Sequence, residues 1–71
     1  MEPKAGDVWR HYKGNDYKVV GIAVHSDESK MVVYEPMYEC EYKLFTRPLR
    51  EWSEEVEWQG KKTKRFIKEE A

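Results

Sequence analysis

The side chains of this sequence that could do chemistry are two histidines, a single cysteine and a set of tyrosines interleaved with arginines. His11 and His25 stand far apart and, on alternating strands, project from opposite faces of a hairpin, which matches no compact metal-ligand pattern. His25-Ser26-Asp27 holds the letters of a nucleophile triad, but neighbours at a strand end seldom meet in the required geometry. Cys40 reads as a passive loop or core thiol. The four glycines are scattered and form neither a phosphate loop nor a dinucleotide fingerprint. The chain is therefore expected to be non-catalytic, with no metal and no cofactor.

Binding is the better expectation, resting on Arg10, Tyr12, Tyr17, His25 and Arg47. Aromatic rings beside cations hold anionic, planar or peptide ligands by stacking and charge-assisted hydrogen bonds. Gly21 and Ala23 would leave a shallow depression between them. The competing account is structural: Tyr12 and Tyr17 pack as a cross-strand pair capped by Arg10, worth about 0.5 to 1.5 kcal/mol. The expected partner is a protein, a peptide or a small polar ligand. A single-stranded nucleic acid is the alternative, because small barrels present aromatics and basic loops to single strands. A structural or dimerisation element is the third class, with the chain a monomer or a weak homodimer.

Charge weighs against nucleic acid. With 13 basic and 14 acidic residues the net charge is −1, and the one basic cluster, Lys61-Lys62-Thr63-Lys64-Arg65, faces Glu54, Glu55 and Glu57 on the preceding arm. The lone Cys40 permits no intrachain disulfide, and the first residues resemble no secretion signal, so a reducing cytoplasm is the default. The apolar runs fall far short of the ~20 residues that cross a bilayer, so no membrane partner is expected.

The elements that must position these residues begin with the stretch Trp9 to His25. Lys13-Gly14-Asn15-Asp16 reads as a tight turn, with Gly14-Asn15 as its two central residues. That loop sets Tyr12 opposite Tyr17, Arg10 opposite Val19 and Trp9 opposite Val20. One face then carries Trp9, Val20, Ile22 and Val24, the expected core; the other carries Arg10, Tyr12, Tyr17, Val19 and His25. Residues 7–13 form the first strand and 17–25 the second.

A polar turn at 26–30 leads to a third strand at 31–35 (MVVYE), closed by Pro36. A fourth follows at 42–46 (YKLFT), broken by Arg47-Pro48. Residues 48–55 carry the only helical character, with Leu49 and Trp52 three apart on one face, and predict a single turn. Residues 56–68 predict a final hairpin around Gln59-Gly60-Lys61, with cross-strand charge pairs worth roughly 0.2 to 1 kcal/mol each. Residues 1–6 read as a flexible leader, 7–68 as one domain and 69–71 as a tail. In a chain of 71 residues this pattern predicts a mainly β fold: a small SH3-type barrel or roll of five to six short strands with one helical turn. An open meander with a packed helical turn is the second choice.

The run Trp9-Arg10-His11-Tyr12-Lys13-Gly14, with Tyr17, Val19, Gly21, Ala23, His25-Ser26, Val32-Val33-Tyr34, Phe45 and Arg47-Pro48, resembles a bacterial family of small domains. That family is the domain of unknown function numbered sixteen fifty-three. The resemblance spans Gly6 to about Phe66 and implies an SH3-type barrel and no known reaction. Trp9 and Phe45 exchange one aromatic for another relative to the family pattern. Lys64 stands where the family tends to have proline, a change that bears on how the last strand pairs.

Overall fold

The computed structural model describes residues 2–69. Seven strands and one helical turn run in the order β1 (Val8–His11), β2 (Asp16–Val24), β3 (Lys30–Pro36), β4 (Phe45–Pro48), α1 (Leu49–Trp52), β5 (Glu55–Trp58), β6 (Lys61–Lys64) and β7 (Phe66–Lys68). All strand pairs are antiparallel; one sheet has the order β4-β3-β2-β1-β7 and a second holds β5 and β6. The chain is mainly β, as its turn spacing and β-branched content predict. Among the described residues β4 and β7 are the edges of the larger sheet.

The first hairpin reverses where expected but in another register. Trp9 lies opposite Tyr17 and Arg10 opposite Asp16, whereas a two-residue Gly14-Asn15 loop would set Trp9 opposite Val20. The loop chemistry explains the difference. The Gly14 N–H donates to the His11 carbonyl and the His11 N–H to the Asn15 carbonyl, both at 2.8 Å, with Gly14 at φ 108°. Glycine thus ends a three-residue loop, Tyr12-Lys13-Gly14, rather than beginning a two-residue one. A displacement by an odd number of positions exchanges faces, so Tyr17 and Val19 join Trp9.

The expected core face is corrected accordingly. Trp9, Val19, Val32, Tyr34, Trp52 and Phe66 are buried, while Val20 and Val24 are 47% and 69% exposed. A bulge between Val19 and Gly21 then places Val19 opposite Tyr34 and Ile22 opposite Val32. The extra residue brings Val19 and Ile22 to one face although they are three apart, but Ile22 is 36% exposed and lies outside the core.

The fourth strand starts later than residues 42–46 predict and runs through Pro48. Tyr42 and Leu44 precede it and are exposed. Proline is tolerated because β4 is an edge strand, and Pro48, at φ −54° and ψ 135°, passes directly into α1. The single turn of α1 forms as predicted and is held by packing. Trp52 is fully buried, stacked on Phe66 with centroids 3.8 Å apart and edge-on to Trp9 at 5.8 Å, and Leu49 packs beside it.

In the β5–β6 hairpin Gln59 and Gly60 both have positive φ, 52° and 78°, the backbone of a two-residue type I′ turn. The predicted final hairpin divides at Arg65. Its N–H donates to the Glu54 carbonyl at 2.8 Å on one side, and its carbonyl accepts from the Tyr12 N–H at 2.9 Å on the other. Beyond Arg65 the strand changes partner and β7 pairs with β1. At the start of the chain Pro3 is buried and the Gly6 N–H bonds to the Val19 carbonyl at 2.8 Å, so the described part of the expected leader is tied to β2. Residues 1 and 70–71 lie outside the described residues. Among those described, no helix is long and apolar enough to cross a membrane.

Candidate functional site

Where β1 ends and the β5–β6 hairpin stands away from the larger sheet, a cleft of about 590 Å³ opens. The three-residue loop supplies Tyr12, and the type I′ turn supplies Trp58 and Lys61. The Tyr12 and Trp58 rings meet edge to face at 5.3 Å and 71°, with the His11 ring 4.4 Å from Tyr12. The Lys13 ammonium lies 5.8 Å from the Tyr12 centroid and 6.0 Å from that of Trp58. Trp58 remains 40% exposed, so an aromatic surface faces solvent beside a cation.

Strand alternation sorts the hairpin's charges. Trp58 pairs with Lys61 and Val56 with Thr63, while Glu57 pairs with Lys62 and Glu55 with Lys64. Opposed residues share a face, so Lys62 and Lys64 have carboxylates opposite them and Lys61 has an indole. Among the described residues none of Lys13, Lys61, Lys62 and Lys64 forms an ion pair within 4 Å, whereas Arg10, Arg47, Arg65 and Lys68 all do.

His11 forms part of the wall and stays neutral more readily than a free imidazole. Burial, then the positive charges of Arg47, Arg65 and Lys13, lower its pKa below 6.5. Its Nδ1 accepts a hydrogen bond from the Lys13 N–H at 3.2 Å, which the unprotonated ring permits and the imidazolium does not.

Of the five residues singled out from sequence, the cleft gathers Arg10 and Tyr12. Arg10 reaches Asp16 at 3.0 Å and Glu69 at 3.2 Å. The hydrogen bond from Arg10 holds the Asp16 carboxyl below its ordinary value and Asp16 in turn raises Arg10. Tyr17 is placed elsewhere. Opposite Trp9, it packs edge-on to Tyr34 at 5.3 Å and its hydroxyl bonds to that of Tyr38 at 3.0 Å. Burial, with the Tyr38 hydrogen bond, pushes its phenol up to about 12.

His25 is exposed, and its backbone closes the β2–β3 turn through bonds with Ser29 and Glu28. Arg47 in β4 pairs with Glu51 at 3.4 Å and lies 5.9 Å from the Phe66 ring. Gly21 and Ala23 sit in the sheet opposite Val33 and Met31, not between the expected site residues. The missed members were legible in part: a two-residue Gln59-Gly60 loop would have set Lys61 against Trp58, leaving that lysine without a carboxylate.

The letters of the triad are occupied by turn closure, since the Asp27 carboxylate accepts from the Ser29 N–H at 2.9 Å and from its hydroxyl at 2.5 Å. Cys40 is half-buried in the segment between β3 and β4. Among the described residues no three His, Cys, Asp or Glu side chains come together as metal ligands.

No curated protein matches the chain. The crystal structure of a DUF1653 protein from Bordetella bronchiseptica superposes with a TM-score of 0.80 at 33% sequence identity, covering 94% of this chain and 85% of that one. A family model described as "Protein of unknown function (DUF1653)" matches residues 7–68. Sequence profile and superposition agree over nearly the whole domain, and the chain belongs to the DUF1653 family.

Proposed function

We propose that the protein is a non-catalytic binding module, a small SH3-type roll acting in the bacterial cytoplasm, whose recognition site is the cleft between the β1–β2 loop and the β5–β6 hairpin. The observation that carries this reading is the Lys13 ammonium set within 6.0 Å of two rings that meet at 71°. Such a corner offers a flat face for stacking and a cation for an anionic group on the same ligand. Lys61 adds a second charge from the opposite rim. A protein, a peptide or a small polar molecule fits these demands. The reading moves the site from an Arg10/Tyr12/Tyr17 face to one that keeps Arg10 and Tyr12 and replaces Tyr17 with Trp58.

Nucleic acid is the weaker reading, because the net charge is −1 and the rim offers only a short cationic track. The test is a proton–nitrogen NMR titration of the labelled chain against acidic peptides, nucleotides and single-stranded oligothymidylate. Shifts centred on Tyr12, Lys13 and the Trp58 indole, lost in Trp58→Ala, are the expected result. Shifts confined to other surfaces would reject the cleft.

A further inference from the structure

The hydrogen bonds of Arg65 give the cleft a second property. Its N–H is turned toward Glu54, on the β5 side, and its carbonyl toward Tyr12, on the β1 side. The strand running from β6 through Arg65 into β7 therefore has β5 along one edge and β1 along the other. But β1 stops at the loop after His11, and β6 pairs with β5 alone. The edge of Lys61–Lys64 that faces Tyr12 is left without a strand partner among the described residues.

An unpaired edge carries backbone donors and acceptors that a further strand can satisfy. Here it lies along the same cleft as the Tyr12 and Trp58 rings, since Lys61, Lys62 and Thr63 all line it. We propose, resting on the cleft as the binding site, that its ligand is an extended acidic peptide that adds as a strand to the open edge of β6. The peptide occupies the line that β1 would follow if it were longer. One aromatic or branched aliphatic side chain lies against Tyr12 and Trp58, and carboxylates on the other face of the peptide strand lie against Lys62 and Lys64.

Charge selects this occupant. The edge reads Lys61-Lys62-Thr63-Lys64, so another strand of the same composition is repelled and an acidic one is drawn in. Two carboxylates already stand across β6 on the β5 side, Glu57 opposite Lys62 and Glu55 opposite Lys64, and a ligand strand with acidic residues would reproduce that pairing on the other side. A nucleic acid would meet the lysines but leave the backbone groups of the edge without partners.

The experiment uses the labelled full chain and three probes: a peptide alternating glutamate and valine around a central tyrosine, the same peptide with alternate backbone amides N-methylated, and oligothymidylate. The first is expected to shift the amides of Lys61–Lys64 and the Trp58 indole and to slow amide exchange along β6. N-methylation on the pairing edge should weaken binding about tenfold or more, because it removes the strand hydrogen bonds. Lys62→Glu, whose spectrum otherwise matches the parent, should weaken it about fivefold. Equal binding of the methylated peptide overturns strand addition. Oligothymidylate binding at Tyr12 and Trp58 with no peptide binding overturns the ligand class and leaves the cleft standing; no shift at Tyr12 or Trp58 with any probe overturns both. A mass that rises with concentration, with β6 protected in the absence of peptide, would assign the edge to a second copy of the chain and overturn the proposal.

Discussion

Two aromatic clusters share this small domain and differ in what surrounds them. In the core, Trp52 and Phe66 stack at 3.8 Å and 6°, with Trp9 and Tyr34 edge-on, and all four are buried. In the cleft, Tyr12 and Trp58 meet edge-on at 5.3 Å, between the 5.0 and 5.8 Å of the core's edge-on contacts, but Trp58 is 40% exposed and a lysine stands over both rings. Ring geometry does not separate a structural cluster from a recognition surface; the path of the backbone does. The core rings project from strands and a helical turn that close over one another, whereas the cleft rings flank two loops with no element above them.

The contrast is broken or upheld most sharply by truncating one tryptophan from each cluster. Trp52→Ala removes the ring on which Phe66 and Trp9 rest and is expected to cost about 3–5 kcal/mol. For a domain of this size that approaches the whole stability, so urea denaturation should show loss of the cooperative transition. Were Trp52→Ala to unfold at an unchanged midpoint, the packing of α1 would not hold the fold.

The difference between the clusters also marks what the sequence could convey. Element positions were largely legible, because β-branched runs, prolines and Gly-containing turns are local signals: β3 and α1 lie where the pattern places them. Facing was not. Whether Gly14 begins a two-residue loop or ends a three-residue one depends on backbone angles that both loops accommodate, and the choice exchanges Tyr17 between surface and core. The bulge after Val19 left no period-two signature, since Val19 and Val20 are identical in type. Arg10 and Tyr12 were found because they sit before the turn in either register. Trp58 and Lys61 are harder to read, because the basic run looks neutralised by its glutamates until the Gln59-Gly60 loop is fixed and sets Lys61 against an indole.

Tyr17 tests the corrected facing at high pH. Its phenol, with an ordinary value of 10.0, is raised to about 12 by burial and the Tyr38 hydrogen bond. The folded state therefore favours the neutral ring. The resulting stability is complete below pH 10 and is lost as pH rises toward 12, where the unfolded chain ionises and the folded one resists. Alkaline titration of the unfolding midpoint should show this fall, and Tyr17→Phe should flatten it while costing about 1 kcal/mol at neutral pH. An unchanged alkaline profile in Tyr17→Phe would return Tyr17 to the surface.

Trp58→Ala, in contrast with Trp52→Ala, should cost no more than about 0.5 to 1.5 kcal/mol, the worth of one aromatic pair. Its effect belongs in binding. A loss of stability comparable to that of Trp52→Ala would make the cleft a second core and erase the distinction between the two clusters.

The smallest expected effect comes from His11, which touches both clusters, 4.4 Å from Tyr12 and 5.0 Å from Phe66. Burial and the charges of Arg47, Arg65 and Lys13 lower its pKa from 6.5, so the fold favours the neutral ring. The sign follows from which state binds the proton first. Below pH 6.5 the unfolded chain takes up a proton that the folded chain refuses, so stability is complete above that value and declines as pH falls, until the folded imidazole also protonates. The carboxyls of Asp16 and Asp27, held down by hydrogen bonds from Arg10 and Ser29, lose their contribution only as pH falls below 3.8. Unfolding midpoints measured between about pH 7 and pH 5 should slope less steeply in His11→Asn, whose side-chain oxygen can still accept the Lys13 N–H, than in the parent. An equal slope in His11→Asn would mean that the proton goes elsewhere and that His11 stands in solvent rather than between the two clusters.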